Sequence, residues 1–140
     1  MPELRLVYPM LAMVLLTFVV LIALFRSRVR MVREGHAPVS YFGTFQGLQE
    51  PDYAAKPARH FANLFEAPTL FYVGCLAAML VGVRGWGVVA LAWGYVAARC
   101  VHAWIHLGGN RVRHRLRAYF TSWLLLLALW AWVGIETVGR

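Results

Sequence analysis

Two short segments carry polar side chains at helical spacing among apolar neighbours. In the first, Arg59-His60-Phe61-Ala62-Asn63-Leu64-Phe65-Glu66, the residues Arg59, Asn63 and Glu66 stand at i, i+4 and i+7, one stripe of a helix. A cation, an amide and an anion on one stripe suit a zwitterionic ligand. The same residues also suit a structural salt bridge in which an arginine of a neighbouring helix neutralises Glu66. Pro68 lacks an N–H and predicts a kink close to Glu66.

The second segment sets Arg99, His102 and His106 at i, i+3 and i+7, followed by a Gly108-Gly109-Asn110 stop and the run Arg111, Arg113, His114, Arg115, Arg117. One reading is a cationic mouth that holds a carboxylate and lowers the pKa of a thiol beside it. The other is a set of arginines lying among lipid headgroups. Arg111 and Arg115 share a face, so only that face is expected to point inward. His102 and His106 could ligate a metal or a haem iron, but no Glu accompanies them as in His-Glu-x-x-His and no third ligand is spaced to match. Hydrogen bonding across a bundle is the plainer use of both, and no metal is expected.

What must position these groups follows from composition. Hydrophobic residues make up 61% of the 140 and charged residues 14%, against about 45–50% and about 25% in soluble domains. A chain this short has too much surface to leave so little of it charged, which excludes a soluble domain, a disordered tail and a nucleic-acid-binding module. A bilayer core about 30 Å thick takes about 20 helical residues. Four apolar stretches fit, giving spans of about 6–25, 60–83, 86–107 and 117–136, and the length suits one domain. No alternating ten-residue segments suggest a barrel, so the expected fold is an all-α, four-helix transmembrane bundle. An ionisable group inside a span costs about 2.5–3.5 kcal/mol even on gentle scales, which makes the two clusters functional candidates.

Ten Lys and Arg residues flank the two connections expected on one side (Arg26 to Arg59, and Arg111 to Arg117). Only Arg5, Arg84 and Arg140 lie on the other. The bias predicts cytoplasmic connections and both termini outside. The first connection, about 28–57, is rich in Pro and Gly, contains Tyr41, Phe42 and Phe45, and is expected to lie over the cytoplasmic mouth. Residues 84–87 are read as the tight turn of a hairpin between the second and third spans. The N-terminal span has no small-residue cleavage site after it and is expected to be retained. Cys75 and Cys100 sit in apolar stretches, form no Cys-x-x-Cys pair, and read as small apolar residues.

With these residues in place, the sequence resembles the MAPEG family, the membrane-associated proteins in eicosanoid and glutathione metabolism. RHFANLFEAP resembles its second-helix pattern, Arg-x-x-x-Asn-x-x-Glu followed shortly by Pro. ARCVHAWIHLGGNRVRHRLRAYF resembles its third-to-fourth helix segment. The resemblance implies a homotrimer with glutathione, as co-substrate, between neighbouring subunits near the cytoplasmic face. It implies that Arg59, Asn63 and Glu66 hold the glutathione backbone, that Arg99 and His102 line the site, and that His106 stands where relatives often have Tyr. Arg115, with Tyr119 one turn on, matches the arginine that stabilises the thiolate, and Arg26 and Arg30 are the candidates for a first-helix arginine.

The chemistry has its own logic. A thiol with a pKa well above 7 is activated by a nearby guanidinium, which is a fixed charge and not a base. A lipid-facing groove admits an apolar electrophile directly from the bilayer. The expectation is an integral membrane glutathione-dependent transferase or peroxidase acting on a small lipophilic substrate. An Arg-rich composition with Lys56 as its only lysine suggests a bacterial inner membrane. The alternative from another class is a non-enzymatic trimeric membrane protein with a lipid- or anion-binding site, with haem or metal binding through His102 and His106 as a further option.

Overall fold

A computed structural model describes residues 3–139, so Arg140, one of the charges weighed for sidedness, lies outside the described residues. After a short 3-10 turn at Glu3–Leu6 come α1 (Val7–Arg33), α2 (Tyr41–Thr44), α3 (Asp52–Asn63), α4 (Ala67–Val81), α5 (Trp86–Leu107) and α6 (Val112–Val138). Four stretches are long and apolar enough to cross a membrane: 4–33, 52–81 (α3 with α4), 86–107 and 112–138. The protein is an integral membrane protein with an all-helical fold.

The 27 residues of α1 rise about 40 Å, more than the hydrocarbon core needs. Charge ends the apolar run at Phe25, but nothing ends the helix there, and α1 carries Arg26, Arg28, Arg30 and Arg33 onward. Its buried residues include Leu6 just before it, then Met13, Val20 and Ser27, a seven-residue repeat joined by Leu24 and Met31. This is the pattern of a helix held along one narrow seam.

The second span is broken. Pro68 at the start of α4 offers no N–H to the carbonyl of Leu64 and its ring crowds that carbonyl, so α3 stops at Asn63 and α4 restarts at Ala67. Glu66, at φ −89° and ψ −99°, is the N-cap of α4. The sequence motif therefore does not lie on one continuous helix; Glu66 closes the three-residue joint that follows the helix carrying Arg59 and Asn63. At its far end α4 closes with Gly82 at φ 67°, where the Val83 N–H donates to the Ala78 carbonyl at 2.9 Å.

The turn from α4 to α5 is short, as read, but α4 leans more on α6 than on α5. Gly74 permits this approach: a Cβ there would stand 2.9 Å from Leu129 Cδ2, and Trp130 Nε1 donates to the Leu70 carbonyl at 3.2 Å. α5 and α6 make the most extensive pairing, and Phe71 of α4 stacks on Tyr95 of α5 with centroids 4.4 Å apart. Cys75 lies in this core, whereas Cys100 is on the exposed side of α5.

The first connection is shorter than its composition suggested, running from Glu34 to Pro51. It packs a second small core (Met31, Ala37, Tyr41, Ala54) on the ends of α1 and α3. Tyr41, Phe42 and Phe45 meet edge to face, and the Arg28 guanidinium covers the Phe45 ring at 5.0 Å.

Candidate functional site

Where α3, α5 and α6 converge, Arg59, Asn63, Glu66, His102, His106, Arg115, Leu116 and Tyr119 line a cavity of about 330 Å³. That volume lies at the small end of the range for ligand sites. Both sequence segments thus open onto one space, although a helix break and a loop separate their residues along the chain.

One wall is a chain of oriented hydrogen bonds. Arg99, buried in α5, donates from Nη2 to Asn63 Oδ1 at 2.6 Å and to the Asn63 carbonyl at 3.4 Å. Asn63 Nδ2 donates in turn to Glu66 Oε2 at 2.9 Å. The chain fixes the Asn63 amide, because only its oxygen can accept from a guanidinium and only its nitrogen can donate to a carboxylate. Arg99 stands behind this wall, not in it, and its Nε and Nη1 find no partner among the described residues. Glu66 forms no direct ion pair among the described residues, where the pairs are Arg30–Glu34 and His36–Glu34. Its carboxylate is held by an amide and open to the cavity, and no arginine among the described residues forms an ion pair with it.

The opposite wall, formed by His102, His106, Arg115 and Tyr119, is positioned by the Gly108-Gly109-Asn110 stop behind it. Asn110 adopts φ 47°, turns the chain into α6, and accepts Arg115 Nη1 on its Oδ1 at 2.8 Å. Asn110 is a positioning residue that sequence reasoning treated only as a helix stop. The Arg115 carbonyl accepts the Nδ1–H of His102 at 3.2 Å, and Tyr119 lies one turn on with its ring 5.7 Å from that of His102. Arg111 lies instead on a separate outer pocket beside Trp104 and His114. Of the four loop arginines, Arg115 alone reaches the central cavity.

Arg26 and Arg30 are elsewhere in this chain. They line a pocket with Arg33, Glu34 and Tyr53, where Arg30 Nε donates to Glu34 Oε1 at 2.7 Å and its guanidinium covers the Tyr53 ring at 4.2 Å. The hydrogen bond from Arg30 holds the Glu34 carboxyl below its usual range.

His60 is the site-adjacent residue that sequence reasoning passed over. Fully buried, it faces both His102 and His106, with ring centroids 5.3 and 5.0 Å away. Its only sequence signal is its place inside the Arg59–Glu66 motif, and no spacing rule links it to residues more than forty positions away.

Chemically, the cavity offers two cations at its rim (Arg59 and Arg115), one anion and an amide, and so favours a ligand with carboxylates in excess of its ammonium groups. No curated protein and no solved structure is significantly similar to the chain. With residues 6–135, all but its two ends, matching the MAPEG family, the chain belongs to that family.

Proposed function

We propose that this membrane protein is a glutathione-dependent transferase or peroxidase that activates the thiol of its co-substrate with Arg115. The observation that carries the reading is the convergence of the Arg99–Asn63–Glu66 chain and the Asn110-anchored Arg115 on one cavity. Glutathione has two carboxylates and one ammonium, matching Arg59 and Asn63 on one side and Glu66 on the other. Family members bind glutathione and assemble as trimers, which supports a homotrimer in which Arg26 or Arg30 of a neighbouring copy completes the site.

Arg115 favours the thiolate by charge; because a guanidinium stays protonated, it does not take the proton, which passes to water. The thiolate sulfur then forms a bond to an electrophilic carbon as the leaving group departs with the bonding electrons. With a hydroperoxide the thiolate sulfur bonds the terminal oxygen as the O–O bond breaks, and the other oxygen leaves as the alcohol after taking up a proton. A second glutathione converts the resulting sulfenic acid to the disulfide and water. His102, His106 and Tyr119 line the space around the sulfur, and His106 shapes the pocket where relatives often carry a phenol. The sidedness of the arginines supports a site facing the cytoplasm of a bacterial inner membrane, with lipophilic substrate arriving from the lipid.

Calorimetry with glutathione on detergent-purified protein tests the proposal, read together with thiolate absorbance. Binding that weakens in Glu66→Gln, and a thiolate signal that disappears in Arg115→Ala, are the expected results. Wild-type protein with neither binding nor thiolate signal would overturn the enzymatic reading and leave a lipid- or anion-binding membrane protein.

A further inference from the structure

We infer that His60, His102 and His106 form a metal site, taking one zinc-class ion in tetrahedral coordination whose fourth ligand comes from the central cavity. The inference does not require glutathione to bind, although two of the three imidazoles, His102 and His106, also line the cavity proposed for it.

The three rings come from two helices and are all buried, and one ligating nitrogen from each lies within 4.8 Å of the other two. Tetrahedral coordination with metal–nitrogen bonds of about 2.0–2.1 Å needs nitrogens about 3.3 Å apart, a contraction that small side-chain rotations supply. Two observations mark the cluster as more than aromatic packing. His60 is fully buried, and among the described residues neither of its ring nitrogens, nor His106 Nδ1, has a hydrogen-bond partner. Burying polar atoms this way is costly unless something occupies the space between them. The second observation is orientation: His102 gives its Nδ1–H to the Arg115 carbonyl, which leaves the lone pair on Nε2. A backbone carbonyl bonded to the far nitrogen is the usual support that sets a ligating histidine's tautomer.

The surroundings select the ion. Among the described residues no carboxylate belongs to the cluster, and Arg99 and Arg115 stand nearby, so a bare dication is disfavoured and an anionic fourth ligand is favoured. His102 and His106 both line the cavity, which gives that ligand, a hydroxide or a thiolate, its way in. Three imidazoles and one exchangeable position is the ligand set of open zinc sites. Copper competes for imidazole sites by intrinsic affinity, so both metals are assayed.

Cobalt(II) is the probe, titrated without glutathione into tag-free, chelator-treated protein in detergent. The expected result is one equivalent bound per chain, with the intense visible bands of tetrahedral cobalt, displaced by zinc. His60→Phe should lower cobalt affinity by more than about 100-fold, since loss of even a supporting partner costs 10–100-fold. No binding, pale six-coordinate spectra, or binding unchanged in His60→Phe would overturn the inference. Should His60→Phe fail to fold, X-ray absorption at the metal edge of wild-type protein decides: three imidazole ligands on bound zinc uphold it, and fewer, or copper displacing zinc as the bound metal, defeat it. Calorimetry with glutathione is a separate readout, so loss of one site is not mistaken for loss of the other.

Discussion

Arg99 reaches from α5 to bond the side-chain oxygen of Asn63 at 2.6 Å, and through that amide it fixes where the Glu66 carboxylate points. The relationship turns a buried guanidinium into a brace for an otherwise exposed acid. Replacing Asn63 with Leu should remove the side-chain acceptor of the Arg99 fork and leave it only the backbone carbonyl at 3.4 Å. The expected loss is about 2–3 kcal/mol of stability, read as a lower thermal midpoint in detergent. An unchanged midpoint would mean Arg99 finds water or lipid oxygen instead.

Asn110 does two things at once, adopting a left-handed backbone and holding Arg115. Asn110→Gly keeps the backbone freedom and removes the hydrogen bond; Asn110→Ala removes both. On the proposed function, each should raise the thiol pKa of glutathione in the site, by about 0.7 unit for a lost hydrogen bond of roughly 1 kcal/mol. A normal thiolate signal in the glycine variant would limit Asn110 to turning the chain.

Arg115→Lys keeps a positive charge but loses the fixed fork that bonds Asn110. Thiolate stabilisation should fall between wild type and Arg115→Ala, while glutathione affinity changes less than thiolate yield. Equal loss in both variants would show that geometry, not charge, does the activation.

Glu34 joins α1 to α3 by accepting from Arg30 at 2.7 Å and from Tyr53 at 3.0 Å. Its carboxyl is held below the usual range, chiefly by the Arg30 hydrogen bond. The stabilisation is therefore present above the carboxylate's unfolded pKa and is lost as pH falls through the lower folded value. Hydrogen exchange across residues 34–53 should quicken in that acid window, and Glu34→Gln should abolish the dependence.

Gly74→Val would push a side chain into Leu129 and Trp130, where even a Cβ is too close. About 1–3 kcal/mol of destabilisation is expected, measured by thermal unfolding, with glutathione affinity at temperatures well below the midpoint largely kept.

Much of this was legible in the residues because lipid punishes charge so heavily. Charge-free runs marked where the chain can cross. The family resemblance included Arg59, Asn63, Glu66, His102, His106, Arg115 and Tyr119, which the fold brings to one cavity, and Arg99, Arg26 and Arg30, which do not line it. What escaped reading has particular causes. Pro68 announced a disturbance, but whether it bends the helix or splits it depends on how α3 packs on α1, so the offset of Glu66 was not foreseeable. His60 meets His102 and His106 only through the pairing of α3 with α5, which no local spacing encodes. Arg26 and Arg30 are only candidates for a first-helix arginine on the sequence, and in this chain both line a separate pocket where Glu34 and Tyr53 engage Arg30.

The seven-residue seam of α1 has a further consequence. Leu6, Met13, Val20 and Ser27 spend only one edge of that helix on its own chain. The rest of its girth, with Leu15, Phe18 and Ile22 turned outward, remains for acyl tails or a sister copy. Adding one residue between Met13 and Val20 would swing everything beyond it by about 100°. The arginines that follow would then face a different neighbour, although no side chain in the cavity had been touched.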